Sequence, residues 1–283
     1  MTSSAKLSTS AFRKVPQEAL YVSEPHPVMF GNPENEPKNP TWTNKNWLKS
    51  RFHFSFAEYH SRHNSQFGVL RVMNDDLVQP ARGFGTHPHG DMEIATYVVD
   101  GALTHKDSMG TAETLGRGAV QFMTAGTGVR HSEHNLDKNA PLRFIQMWIV
   151  PRRRGLTPNY GSACTTEEDR KNKFFHLVGD VADVSSATPK VRVNQDVNIH
   201  VAEIEPATST TFSLGADRQA YVLCVEGEKL LVQSDDAKEL ATLSRHDGAE
   251  AHGPVSLVFT PKDTKGHVLI VEMAENYDGR TDL

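Results

Sequence analysis

From residue 47 onward the sequence runs in short apolar or alternating segments, each ended by a turn rich in glycine, proline or asparagine, and this pattern admits little but a β protein. In residues 51–59, Phe52, Phe54 and Phe56 alternate with smaller or polar residues, the two-residue period of a half-buried strand. Further strands are expected over 67–73, 93–99, 102–105, 119–123 and 142–150, separated by turns such as Val99-Asp100-Gly101 and Leu115-Gly116-Arg117-Gly118. A second series follows over 197–204, 220–225, 229–232, 256–260 and 267–273. Its turn Val225-Glu226-Gly227-Glu228 echoes Val99-Asp100-Gly101-Ala102, which hints at duplication. Helical periodicity is scarce, with one short helix expected over 165–173.

Two histidine motifs lie in the first series, His87-Pro88-His89 and His131-Ser132-Glu133. Alternate side chains of a strand share a face, so each motif aims two ligating groups in one direction. Strands facing one cavity would bring three imidazoles and a carboxylate together, a set that suits divalent iron, nickel, zinc or manganese. The second series has no His-x-His. Cys164 and Cys224 are the only cysteines and are far apart, so neither a disulfide framework nor a cysteine-based zinc site is available.

With 30 basic and 35 acidic residues among 283, the formal charge of -5 gives no case for attraction to nucleic acid or an anionic membrane. A small-molecule partner and a monomer are expected. No apolar run approaches the roughly 20 residues of a membrane span, so a cytoplasmic location is expected, with nuclear or organellar placement as the alternatives. Residues 1–17 lack acidic side chains and carry Lys6, Arg13 and Lys14, a composition shared by transit peptides and by frayed termini. Residues 24–45 are rich in proline and asparagine. The expected organisation is an N-terminal arm over 1–45, irregular over 24–45, a β unit over 46–155, a linker over 156–173 and a second β unit over 174–283.

The ordered motifs Gly83-Phe-Gly-Thr-His-Pro-His-Gly-Asp-Met-Glu93, Thr96-Tyr-Val-Val-Asp-Gly101, His105-Lys-Asp-Ser-Met-Gly110 and Met123-Thr-Ala-Gly-Thr-Gly-Val-Arg-His-Ser-Glu133 resemble the cupins. Within them, the chain is most similar to the pirin family and its pirin-like quercetinases. The resemblance implies an all-β bicupin, two antiparallel jelly-roll barrels facing each other in one chain, with metal only in the first. Ala81 stands where the general cupin pattern has glycine, and Gly126 where it has proline. General cupins would take Glu93 as the carboxylate ligand, whereas the pirin pattern takes Glu133. The ligand set is therefore His87, His89, His131 and Glu133, with Glu93 assigned to supporting the site or its strand.

The resemblance also implies one divalent metal per chain, Fe(II) first, with Ni, Zn, Mn, Co or Cu as alternatives. The implied reaction is quercetin 2,3-dioxygenase chemistry, in which O2 opens the central ring of a flavonol with loss of carbon monoxide. Glu133 would be both ligand and catalytic base. A small enolic metabolite is another candidate substrate. The alternative is a non-enzymatic, redox-sensitive regulator that binds a protein such as a transcription factor. His134 and Arg130 are expected at the surface, His105 as a hydrogen-bonded loop residue, and Cys224 as a buried thiol. Phe84, Phe122, Met123 and Trp148 belong either to the core or to the walls of a substrate pocket.

Overall fold

The computed structural model describes residues 11–34, 47–185 and 189–275, and nearly every regular element among them is a strand. The first of two seven-stranded sheets runs Tyr21–Ser23, Leu48–Phe52, Leu70–Val78, Leu142–Ile149, Glu93–Asp100, Val120–Thr124 and Asn159–Ala163, every neighbour antiparallel. A four-stranded sheet backs it, in the order Arg82–His89, Val129–Asn135, Ala102–Asp107 and Ala112–Gly116. The second half repeats the plan. Its seven strands are Phe12–Val15, Gly248–His252, Arg218–Glu226, Gly266–Ala274, Val197–Ile204, Phe175–Asp180 and Val191–Val193. They are backed by Thr210–Leu214, Val255–Pro261, Leu230–Ser234 and Glu239–Leu243. The architecture is the expected all-β bicupin, although each half is a seven-on-four sandwich rather than a closed barrel.

The two seven-stranded sheets pack against each other. Met73, Tyr97, Val99, Ile145 and Met147 of the first half share one core with Ile199, Val201, Leu223, Leu269 and Val271 of the second. A central strand such as Glu93–Asp100 is therefore buried on both faces, one toward the other half and one toward its own sandwich. That explains why its sequence is a continuous apolar run. The second sandwich fills its interior with Ile204, Leu214, Val222, Leu257 and Phe259, whereas the first keeps a cavity.

Several sequence expectations need correction. The alternation over 51–59 does not make one strand, because pairing stops at Phe52. Ser55 then ties the backbone of Ser61 and Asn64 into a loop, and Ala57 is left-handed. Phe54 turns into the inter-sheet core beside Tyr221, while Phe52 and Phe56 line the cavity. Ahead of the irregular stretch of the arm, Phe12–Val15 pairs with Gly248–His252 and Tyr21–Ser23 with Leu48–Phe52. Residues 1–10 and 35–45 of that arm lie outside the described residues. The linker over 156–173 contains the strand Asn159–Ala163. The short helix forms at Glu167–Arg170, started by a capping box between Thr166 and Asp169. No helix among the described residues is long and apolar enough to cross a membrane.

A buried polar knot joins the halves. Arg143 donates to both oxygens of Asp75 at 2.8 and 2.7 Å and to the Val225 carbonyl at 2.7 Å. His246 of the second half approaches the same carboxylate at 2.6 Å. Burial alone would raise the Asp75 pKa, but the charge and hydrogen bonds of Arg143, with help from His246, outweigh it and hold the group well below the carboxylate range. Nearby His53 meets the Tyr221 hydroxyl at 2.9 Å, and complete burial pushes its ring down to about 4.

Removing one member of the knot leaves a buried charge without its partner. Arg143→Met is expected to destabilise the protein by roughly 3–5 kcal/mol in denaturant titration, and a loss below about 1 kcal/mol would show that the ion pair does not hold the halves. His53 gives a pH signature. Unfolded, its ring takes a proton near pH 6.5, whereas the folded ring refuses one until about 4, so its contribution is complete above 6.5 and is lost as pH falls toward 4. The unfolding midpoint should drop over that window, and less steeply in His53→Gln. Parallel curves would remove His53 from the account.

Candidate metal centre

His87 and His131 stand directly opposite each other on the paired strands Arg82–His89 and Val129–Asn135, and His89 lies two residues further along. Their Nε2 atoms converge, with His131 at 3.1 Å from His87 and 3.0 Å from His89. Both spacings of the motifs thus do what strand alternation requires. His87 is fixed by donating Nδ1–H to the Gly85 carbonyl at 2.8 Å, which leaves Nε2 as a lone pair.

His131 is fixed by a longer chain. Its Nδ1 faces His105 Nδ1 at 3.4 Å, and His105 Nε2 faces Asp107 Oδ2 at 3.0 Å. Burial works against ionisation of Asp107, but bonds from His105, Thr111 and Met109 outweigh it and pull its pKa down. The carboxylate therefore accepts from His105, His105 accepts from His131, and the His131 Nε2 lone pair points into the cluster. Burial, then the neighbouring imidazoles, depress His89 and His131 to about 3, so both rings are neutral at pH 7.

Two lone pairs facing each other at 3.1 Å repel unless a cation lies between them. Nitrogens about 2.1 Å from one centre and at right angles would stand about 3.0 Å apart, as His131 does from both His87 and His89, and all three lie within 4.8 Å of one another. The donor set fits one face of an octahedral divalent metal.

Glu133 differs from the expectation of a four-group convergence. It lies within 4.8 Å of nitrogens of His131 and His105, outside the cluster formed by His87, His89 and His131. Between the pairs His131–His87 and Glu133–Phe84, two residues of Arg82–His89, Gly85 and Thr86, are set against the single Ser132, and this bulge shifts the pairing at that point. Glu133 is almost fully buried, and its oxygens accept from Gln121 Nε2 at 2.8 Å and Gln146 Nε2 at 2.9 Å. Glu93 is engaged elsewhere. It accepts from Thr124 and from the backbone and side chain of Asn194 in the second half.

A cavity of about 660 Å³ opens beside the histidines, lined by His87, His89, Glu133, Gln146 and a set of apolar side chains. Phe84 and Trp148 are among these walls, whereas Phe122 and Met123 pack into cores. The Trp148 ring meets His89 edge to face, with centroids 4.8 Å apart. His105 is not a loop residue but part of the strand Ala102–Asp107, fully buried and stacked on Tyr160. Arg130 is exposed, His134 is half-buried on the same strand and Cys224 is buried, its thiol pushed up to about 12 by desolvation.

Sequence reading missed Asp107, Gln121, Gln146 and Asp76. The even spacing of His105 and Asp107 was a usable signal; the other three are recognisable only once the sheet is assembled. Asp76 faces the cavity, and burial, with smaller contributions from Asp75 and Glu133 and against Ser50, pushes its carboxyl up to about 8. Of the two departures from the cupin pattern, Ala81 takes the left-handed conformation without a glycine. Gly126 cannot carry a side chain, since a Cβ there would sit 1.9 Å from the Leu156 carbonyl oxygen.

Two facing cupin sandwiches, with a histidine-lined cavity in the first, define the class as a bicupin. The Pirin family model matches residues 35–149, and a model described as the quercetinase C-terminal cupin domain matches residues 184–273. A pirin-like protein of Caulobacter vibrioides is 42% identical over 181 residues, spanning 64% of this chain and 76% of the relative. A quercetin 2,3-dioxygenase of Escherichia coli K12 is 38% identical over 188 residues, spanning 65% and 77%. The crystal structure of the Escherichia coli pirin YhhW in complex with nickel(II) superposes with a TM-score of 0.73 at 28% identity, covering 93% of this chain and 99% of that one. The chain belongs to the pirin family.

If the three histidines hold the metal, His87→Ala, His89→Ala and His131→Ala should each lose most of it, and wild type should carry one ion per chain by elemental analysis and native mass spectrometry. Full occupancy in all three variants, or two ions per chain, would sink the assignment.

Proposed function

We propose that this protein is a metal-dependent flavonol dioxygenase of the quercetin 2,3-dioxygenase type, with His87, His89, His131 and Glu133 holding one divalent metal, Fe(II) first among the candidates. The observation that carries the reading is the cavity of about 660 Å³, walled by aromatic residues and opening directly onto the histidines. A redox-sensitive regulator would need the metal but not such a chamber. The relatives named quercetin 2,3-dioxygenase support the same reading. The proposed division of labour gives metal and substrate to the unit over 46–155, and structural support to 174–283.

A metal bound there supplies Lewis-acid stabilisation of the substrate oxyanion and a route for electrons to O2. Glu133 accepts the acidic 3-hydroxyl proton of the flavonol. Gln121 and Gln146 aim its carboxylate by donating to one oxygen each. Gln146 is held in turn, because its amide oxygen accepts from Trp148 Nε1 at 3.2 Å. Trp148, Phe52, Phe56 and Phe84 bound the chamber with apolar surface that excludes water from the bound ring system.

Glu133→Gln separates the roles. It should retain much of the metal, since an amide oxygen still coordinates weakly, and lose flavonol-dependent oxygen uptake per bound metal by at least a hundredfold, within the typical range for a lost general base. Wild-type turnover per metal in the variant would remove Glu133 as the base. Absence of oxygen uptake with any flavonol in metal-replete wild type would overturn the enzymatic reading.

A further inference from the structure

The polar row that holds Glu133 does not end at Gln146. Across the first seven-stranded sheet Gln121 pairs with Thr96, Thr96 with Gln146, Gln146 with Asn74 and Asn74 with Phe52, all at one level. Two residues along, Asp76 pairs with Ser50 and Phe144. Gln121 and Gln146 are occupied by Glu133. Asn74 and Ser50 are not. Both line the cavity and both are at least 97% buried; Asn74 Oδ1 reaches no hydrogen-bond partner, and the Ser50 hydroxyl is turned to its neighbour Asp76 on the same wall. Asp76, equally buried, lines the cavity beside them.

A buried polar atom without a partner is uncommon in a finished fold, and Asn74 Oδ1, set beside a hydroxyl and a carboxyl on a cavity wall, marks a place where a ligand completes the bonding. The chemistry of the wall restricts the ligand. None of the lining residues is Lys or Arg, while Glu58, Asp76 and Glu133 are all carboxylic. Away from the histidine end a carboxylate or phosphate would find no counter-charge, whereas a neutral hydroxyl finds an amide oxygen, a hydroxyl and a carboxyl. With its carboxyl raised to about 8, Asp76 is largely protonated at neutral pH and both donates and accepts. Strand spacing and rise put Asp76 roughly 8 Å from Gln146 along the sheet, a length that two linked aromatic rings span.

Resting on the functional reading above, we propose that Ser50, Asn74 and Asp76 form a hydroxyl-recognition strip that binds the remote phenolic groups of a planar polyhydroxylated aromatic, whose enolic end lies at Glu133 and the histidines. The strip sets selectivity for hydroxylated rings, while the histidine cluster and Glu133 perform the chemistry.

The test compares two ligands with the same enolic end, quercetin and 3-hydroxyflavone, the latter without the remaining ring hydroxyls. Binding to the metal-loaded full chain is followed by quenching of tryptophan fluorescence, and turnover by oxygen uptake. Wild type should prefer quercetin. Asp76→Leu should cut that preference about tenfold, as for a lost hydrogen bond in a dry site, with metal content unchanged, and Asp76→Asn should restore most of it. Asn74→Leu should act in the same direction and decides the matter should Asp76→Leu fail to fold. No preference in wild type, or an equal loss for both ligands, overturns the proposal. Selective binding without oxygen uptake would instead uphold the strip and overturn the dioxygenase reading.

Discussion

The bond on which the molecule turns is the buried pair between Asp75 and Arg143. Taking two charges out of water is expensive, and only the bidentate geometry, the Val225 carbonyl and His246 offset it. Because Val225 and His246 belong to the second half, that geometry exists only when the two seven-stranded sheets are docked. The pair thus acts as a check on their register. Strand alternation carries the consequence inward: with Asp75 committed to the junction, Asn74 and Asp76 must face the cavity.

Glu93 works to the same end. It is the carboxylate that follows His-x-His, yet it reaches out of its sandwich to the Asn194 backbone and holds a strand of the second half. One half-sandwich is filled by its own apolar side chains; the other, with the same strand plan, has a smaller core around Trp47, Val98, Leu103 and Phe144 and keeps a cavity beside it. A sandwich that keeps a cavity has less apolar contact to hold it together. The filled one is the rigid body on which the wall containing Asn74, Asp76 and Gln146 rests.

Much of this was legible in the sequence. His87, His89 and His131 could be placed together because two-residue spacing survives in any strand, and the strands at 93–99, 142–150 and 197–204 could be placed because their apolar runs are long. What escaped was set by pairing rather than by local pattern. The bulge between His131 and Glu133 depends on how two distant segments align, so the offset of Glu133 has no signature in either. The strand expected over 67–73 stops short of Asn74, Asp75 and Asp76, since a strand buried on both faces gives no warning that its acidic residues face an arginine on one side and a cavity on the other. Phe52, Phe54 and Phe56 suggested one strand, but Ser55 and its loop contacts divert them to two different places.

The strand Phe12–Val15 has a consequence for how the chain reaches its native state. Its pairing partner Gly248–His252 lies at the other end of the sequence; the contact between Arg13 and Glu250 spans 237 residues. On a ribosome the strand Phe12–Val15 emerges early and has nowhere to pair until Gly248–His252 has been made. Its neighbour Tyr21–Ser23 meanwhile joins the first sheet as soon as Leu48–Phe52 appears. The first half can therefore assemble during synthesis with a short tether hanging free, and that tether is then captured by the second half when it forms. Loop closure of this length is slow. The seam between Phe12–Val15 and Gly248–His252 is among the late ones to close, and a chain lacking Phe12–Val15 would expose the unpaired edge of Gly248–His252 to other molecules.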